Sequence, residues 1–174
     1  MSNIPKRLPK SLKGLQEMIN YINSKHPTKE LTILEIGSWV GVSTELFAKA
    51  FKQVIAVDPW AKTTGINCQY NMKLVEKEFD ERMKNYDNVI KCKMTSEQAI
   101  KNENIKDINI IYIDGAHDYK NVSLDIELWK DKIKLFICGH DYYDKFPGVK
   151  KAVNEAFIKP DKLFPDSSWL VEVK

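Results

Sequence analysis

The sequence predicts a single α/β domain in which a mostly parallel sheet is flanked by helices. Three observations carry that prediction. Short, nearly continuous apolar runs alternate with segments of helical periodicity. Several runs stop at a glycine or an acidic residue, as at Ile36-Gly37, Val57-Asp58, Ile113-Asp114-Gly115 and Cys138-Gly139. The length, 174 residues, is one domain's worth of core.

The elements follow in order. Residues 1–10 contain two prolines and little apolar content, and read as an arm; residues 11–174 are the domain. Leu12, Leu15, Ile19 and Ile22 recur at helical spacing from Ser11, a candidate N-cap, to Lys25, and Pro27 stops that helix. His26, before that proline, reads as a helix-end residue. Leu31–Ile36 is apolar enough to be a strand buried on both faces. Gly37–Gly41 makes a turn, and a helix runs from Ser43 through Phe51. Gln53–Val57 is a second buried strand, ended by Asp58-Pro59, and a loop with Gly65 follows. A helix over 70–85, a strand over 89–94 and a short helix over 97–102 come next. Ile108–Ile113 is a further strand, Val122–Lys132 a helix, Leu135–Cys138 a strand, Gly148–Ile158 a helix stopped by Pro160, and Trp169–Val173 the last strand. Trp129, at core spacing from Ile126 and Ile133, reads as core.

Right-handed crossovers would bring every strand's carboxyl end to one edge, where ligands bind in open α/β sheets. Glu35, Asp58, Asp114, His140 and Asp141 all fall there.

Composition narrows the setting. A net charge of +3 with dispersed lysines gives no footprint for nucleic acid. Cys68, Cys92 and Cys138 are odd in number without C-x-x-C spacing, so neither a disulfide framework nor a zinc site is indicated. Lys6, Arg7 and Lys10 have no apolar stretch behind them, and no run approaches the ~20 residues that span a bilayer. The expectation is a cytoplasmic protein with no membrane association.

The first strand-turn-helix reads Leu34-Glu35-Ile36-Gly37-Ser38-Trp39-Val40-Gly41, and Asp58 ends the next strand. A carboxylate there is placed to accept hydrogen bonds from the hydroxyls of an adenosine ribose. A dinucleotide would need G-x-G-x-x-G, but Trp39 stands where backbone must approach a pyrophosphate, and Glu35 would repel it. S-adenosylmethionine removes both objections, because its amino-acid end carries an ammonium beside a sulfonium. The helix opening near Ser43 remains free to receive that ligand's carboxylate.

The segments LEIGSWVGVST, VIAVDPW, IYIDGAHDY and GHDYYDKFPGVKKAVNEAF resemble the class I S-adenosylmethionine-dependent methyltransferases, closest to the branch called methyltransferase domain 24. The resemblance covers roughly residues 30–160. It implies the Rossmann-like fold of that class and cofactor contacts by Glu35, Gly37, Ser38, Gly41, Asp58 and Trp60. Ser96 and Glu97 match the region facing the adenine, and Asp114 would lie near the methyl donor. The family's Lys-Pro-Gly-Gly before the fifth strand is replaced by Lys132-Ile133-Lys134.

Transfer to an alcohol also requires removal of its proton, by a general base or with help from a metal. Both routes stay open. His117, in Asp114-Gly115-Ala116-His117, is the candidate base, with Asp114 and His140 as further catalytic candidates. The resemblance also implies a divalent ion, Mg²⁺ or Mn²⁺, at the ends of the fourth and fifth strands, with Asp114, His140 and Asp141 as ligands. Imidazole suits Mn²⁺, Fe²⁺ or Zn²⁺ better than Mg²⁺. Tyr119, Tyr142, Tyr143 and Phe146 cluster in sequence beside these motifs, as a small-molecule pocket needs.

The leading expectation is O-methylation of a small hydroxylated metabolite or sugar-type acceptor, by a homodimer whose second copy completes the pocket. A cofactor-binding module without turnover and a nicotinamide-dependent oxidoreductase are the two alternatives.

Overall fold

The computed structural model describes residues 9–61 and 70–173. Gly65, Cys68 and most of the expected arm therefore lie outside the described residues.

Helix α1 (Pro9–Lys25) begins before the expected cap, so Ser11 lies inside it. Proline has no N–H to leave unpaired and a φ already set for the first turn, which favours a start at Pro9. A single 3₁₀ turn (Thr28–Glu30) leads into β1 (Thr32–Ile36), followed by α2 (Val42–Ala50) and β2 (Gln53–Asp58). Helix α3 (Met72–Met83), β3 (Val89–Lys93) and the one-turn helix α4 (Ser96–Ala99) come next. The chain continues through β4 (Ile110–Ile113), α5 (Tyr119–Trp129), β5 (Phe136–Gly139) and α6 (Pro147–Phe157). It ends in β6 (Lys162–Leu163) and β7 (Trp169–Glu172).

Among the described residues the sheet has the order β3-β2-β1-β4-β5-β7-β6. Strands β1 to β5 are parallel, so their carboxyl ends share one edge. The expectation that every strand ends there fails at β7, which runs antiparallel between β5 and β6. The five-residue turn from Phe164 to Ser168 is too short for a crossover, so β7 can only return alongside β6. Strand β6 had no sequence signal, since Lys162 and Leu163 are both exposed.

Consecutive residues of the central strands enter opposite cores. Ile33, Val54, Ile110 and Phe136 pack beneath Leu15, Met18, Ile22 and Phe47 of α1 and α2. Their neighbours Leu34, Ile55, Ile111 and Ile137 pack against Val122, Ile126 and Trp129 of α5 and Val149 and Val153 of α6. That two-faced burial is why these strands read as continuous rather than alternating apolar runs. Each such side chain contributes about 1.5–3 kcal/mol on leaving water. Helix α2, only 9 residues long, is too short to be stable alone and is held by this packing.

The ladder runs one residue beyond three strands. Gly37 N–H donates to Val57 O (2.9 Å), Asp114 N–H to Ile36 O (2.8 Å), and His140 N–H to Ile113 O (3.1 Å). Backbone bonds thus fix Asp114 and His140 at the carboxyl edge.

Candidate active site

The turn after β1 is built on glycine where nothing else fits. Gly37 has φ 90°, and a Cβ there would stand 2.4 Å from the carbonyl oxygen of Asp114. The β1 and β4 turns therefore touch along bare backbone. Gly41 (φ 79°) is the N-cap of α2, and a Cβ on it would press on Phe79.

Asp58 is tied to this turn. Its Oδ2 accepts from Trp39 N–H (2.9 Å) and its Oδ1 from Trp60 N–H (2.7 Å). Both tryptophans adopt left-handed backbone, at φ 50° and φ 41°. For bulky residues that conformation is strained by about 1–3 kcal/mol, the kind of cost that concentrates at functional sites. Burial raises the Asp58 carboxyl above its usual range, and the two N–H donors work against that rise. Further lone pairs on each oxygen remain able to accept from ligand hydroxyls.

Trp60 itself lies inward rather than over the site. Its indole is 3% exposed, tilts on Phe79 within the cluster formed with Val75 and Met83, and donates Nε1–H to Trp39 O (2.8 Å). Lys91 Nζ lies over its ring at 4.9 Å. Its backbone N–H is the group it gives to the Asp58 carboxylate.

Glu35 is fully buried beneath the turn. Its Oε1 accepts from Ser43 Oγ and its Oε2 from Thr44 Oγ1, each at 2.5 Å. Burial pushes its carboxyl up to about 6, against the lowering effect of those hydroxyls. Ser38 Oγ leans toward the same carboxylate without completing a hydrogen bond. The first turn of α2 is thus committed to Glu35 through two side chains.

Past β3, Thr95 caps α4 in a reciprocal box with Gln98. Ser96 Oγ accepts from Trp129 Nε1–H at 2.9 Å, and Glu97 stands exposed in the same turn. Asp125 of α5, absent from the sequence expectations, is 7% exposed and its carboxyl is pushed up to about 6, chiefly by burial. Its signal was available: an acidic residue on the stripe Val122, Ile126, Trp129 is a polar group on a core-facing helix.

The two remaining motifs converge. Asp141, at φ 63°, turns its carboxylate back between two imidazoles. His117 Nε2–H donates to Asp141 Oδ2 (2.7 Å), and His140 Nδ1 lies 3.0 Å from Asp141 Oδ1 and 3.9 Å from Asp114 Oδ1. The potential ligand atoms of Asp114, His140 and Asp141 lie within 4.8 Å of one another. Burial would raise the Asp141 carboxyl, but hydrogen bonds and charge from both histidines hold it well below the usual range. Burial would lower the His117 pKa, but the Asp141 bond and the charges of Asp141 and Asp114 carry it above its usual value. His117 also stacks on Phe146, with ring centres 4.6 Å apart, and Tyr143 meets Phe146 edge-on. Tyr142 and Tyr119 instead turn their hydroxyls to Asn154 and Glu155 of α6.

Five parallel strands with a returning edge pair, and a glycine turn facing an acidic residue on the next strand, define an α/β domain of the nucleotide-cofactor-binding class. The chain belongs to the methyltransferase domain 24 family, whose model, described as a methyltransferase domain, matches residues 34–142. It is an S-adenosylmethionine-dependent methyltransferase by family.

Solved structures agree on the fold. The chain resembles a putative caffeoyl-CoA O-methyltransferase from Staphylococcus aureus (TM-score 0.63, 18% identity, covering 99% of this chain and 86% of that one). It also resembles the calicheamicin methyltransferase CalS11 (0.66, 12%, 92% and 79%). A third similar structure is the N-methyltransferase NodS from Bradyrhizobium japonicum WM9 (0.63, 12%, 94% and 94%). At these identities the likeness extends to fold alone, and the fold serves both oxygen and nitrogen acceptors. No curated protein matches the sequence. Among the described residues, no helix is long and apolar enough to cross a membrane.

The residues fit the cofactor: Asp58 presents a carboxylate at the end of β2, with lone pairs left to accept from ribose hydroxyls.

Proposed function

We propose that this enzyme methylates a hydroxyl of a small hydroxylated metabolite or sugar-type acceptor, with His117 as the base that takes the acceptor's proton. The observation that carries this reading is the 2.7 Å bond from His117 Nε2 to Asp141 Oδ2. That bond fixes the imidazole's orientation and leaves Nδ1 as the nitrogen able to accept a proton, the same base-and-orienter logic found in nucleophile-activating sites. S-adenosylmethionine, when bound, supplies a methyl group on a sulfonium that is already activated for in-line displacement. Asp58 would hold the ribose, and Gly37 would keep the β1 turn packed on the β4 turn that carries Asp114. Phe146, stacked on His117, restricts the base to one plane and shields it from water on that face.

The cluster of Asp114, His140 and Asp141 supports a divalent cation as part of the same proposal. Metal-ligand distances of about 2.0–2.2 Å put neighbouring ligand atoms roughly 3 Å apart, comparable with the 3.0 Å and 3.9 Å measured from His140 Nδ1. The nitrogen donor favours Mn²⁺ over Mg²⁺. Held there, a cation would act as a Lewis acid on the acceptor oxygen and lower the demand on His117. A cytoplasmic homodimer acting without nucleic acid or membrane completes the proposal. The test is methyl transfer to a panel of hydroxylated acceptors, with chelator and with added Mn²⁺, for the wild type and His117→Ala. Turnover that needs His117 and rises with Mn²⁺ is expected. Undiminished turnover by His117→Ala would remove the base assignment.

A further inference from the structure

We propose that Asp166 is the positioning residue for His140, its buried carboxylate facing the imidazole's Nε2 and favouring the proton there, so that Nδ1 is presented to Asp114 and Asp141. The inference rests on the divalent-cation reading above and adds a residue that no motif in the chain announces.

Asp166 lies in the turn between β6 and β7, with its side chain 1% exposed. Its Oδ1 accepts from Ser168 N–H at 3.0 Å. Its Oδ2 is buried, has no hydrogen-bond partner, and faces His140 Nε2 at 3.9 Å. A carboxylate serving only to shape the turn would be satisfied through Oδ1 and would leave its other oxygen in water, because an unpaired buried oxygen is costly. Here the second oxygen is enclosed beside an imidazole nitrogen instead.

The enclosure comes from a distant part of the chain. Gly14 of α1 lies over Asp166, and a Cβ at that position would stand 2.2 Å from Oδ1. The turn is also fastened to the segment it would position: Tyr142 N–H donates to Ser167 O (3.0 Å), and Trp169 Nε1–H donates to His140 O (3.2 Å). The turn that carries Asp166 is therefore tied by hydrogen bonds to the segment that carries His140. One imidazole nitrogen faces the Asp141–Asp114 pair and the other faces Asp166. To act as a ligand through Nδ1, His140 must carry its proton on Nε2, and a carboxylate opposite Nε2 favours that tautomer and raises the ligand's basicity.

The experiment is calorimetric titration of Mn²⁺ into the wild type, Asp166→Asn, Gly14→Ala and Asp114→Asn, with Co²⁺ absorption spectra as a second readout. Asp166→Asn keeps an oxygen for Ser168 N–H, so its fold and S-adenosylhomocysteine affinity should match the wild type. Its Mn²⁺ affinity should fall about 10–100-fold, the usual effect of losing an outer-shell partner, and its Co²⁺ spectrum should shift. Gly14→Ala, whose Cβ would crowd the Asp166 carboxylate and its backbone N alike, should weaken Mn²⁺ in the same direction. Wild-type Mn²⁺ affinity in Asp166→Asn, with affinity lost in Asp114→Asn, would overturn this inference and leave the cation reading standing. No Mn²⁺ binding by the wild type would overturn both.

Discussion

Glu35→Gln offers a direct test of how the β1 turn is built. The carboxyl is fully buried and sits at about 6 rather than 4.5, so the folded state holds its proton more tightly than the unfolded chain does. A raised acid pKa means that the group is neutral in both states at low pH, and its ionisation opposes folding as pH rises from 4.5 toward 6. The difference of 1.5 units corresponds to about 2 kcal/mol at 1.36 kcal/mol per unit. Other groups titrate over the same range, so the quantity to follow is the difference between wild type and variant. Urea unfolding of both proteins at about pH 4 and pH 7.5 isolates it, because any fixed cost of placing an amide against Ser43 and Thr44 cancels between the two pH values. Relative to the wild type, Glu35→Gln should gain about 2 kcal/mol across that interval. A difference that is flat with pH, or that moves the other way, would refute the burial argument for Glu35.

Four further outcomes are expected. Asp58→Ala should weaken S-adenosylhomocysteine binding by at least about tenfold in calorimetry, since hydrogen bonds to a charged group contribute about 1.5–3 kcal/mol each. Gly37→Ala should lower the melting temperature and abolish ligand binding, because the new Cβ meets Asp114 O at 2.4 Å on backbone at φ 90°. His117→Ala should reduce kcat by about 10²–10⁴-fold while leaving S-adenosylhomocysteine affinity intact. The rate should rise with pH through the elevated His117 pKa, as a base works only when deprotonated, and Asp141→Asn should move that rise to lower pH.

The central strands were legible because burial on both faces leaves an unbroken apolar run, as in Ile33-Leu34 and Ile110-Ile111. The carboxyl-edge residues were legible for the same reason: each interrupts such a run where the ladder ends. What sequence could not supply were features set by distant contacts. Strand β6 is exposed on both residues and carries no apolar pattern, so neither it nor the reversal of β7 could be read. The inward packing of the Trp60 indole on Phe79, nineteen residues on in helix α3, was likewise invisible in the sequence. Glu35 has its place at the strand end, yet only the fold shows its oxygens claimed by Ser43 and Thr44. Asp166 depends on Gly14, at the other end of the chain, and nothing local marks it.

The central claim is that Asp58 and the glycine turn form a working S-adenosylmethionine site. Calorimetric titration of S-adenosylhomocysteine into the wild type and Asp58→Ala tests it most directly. Micromolar binding by the wild type, weakened by the substitution, is expected. Absence of binding by a folded wild-type protein would contradict it.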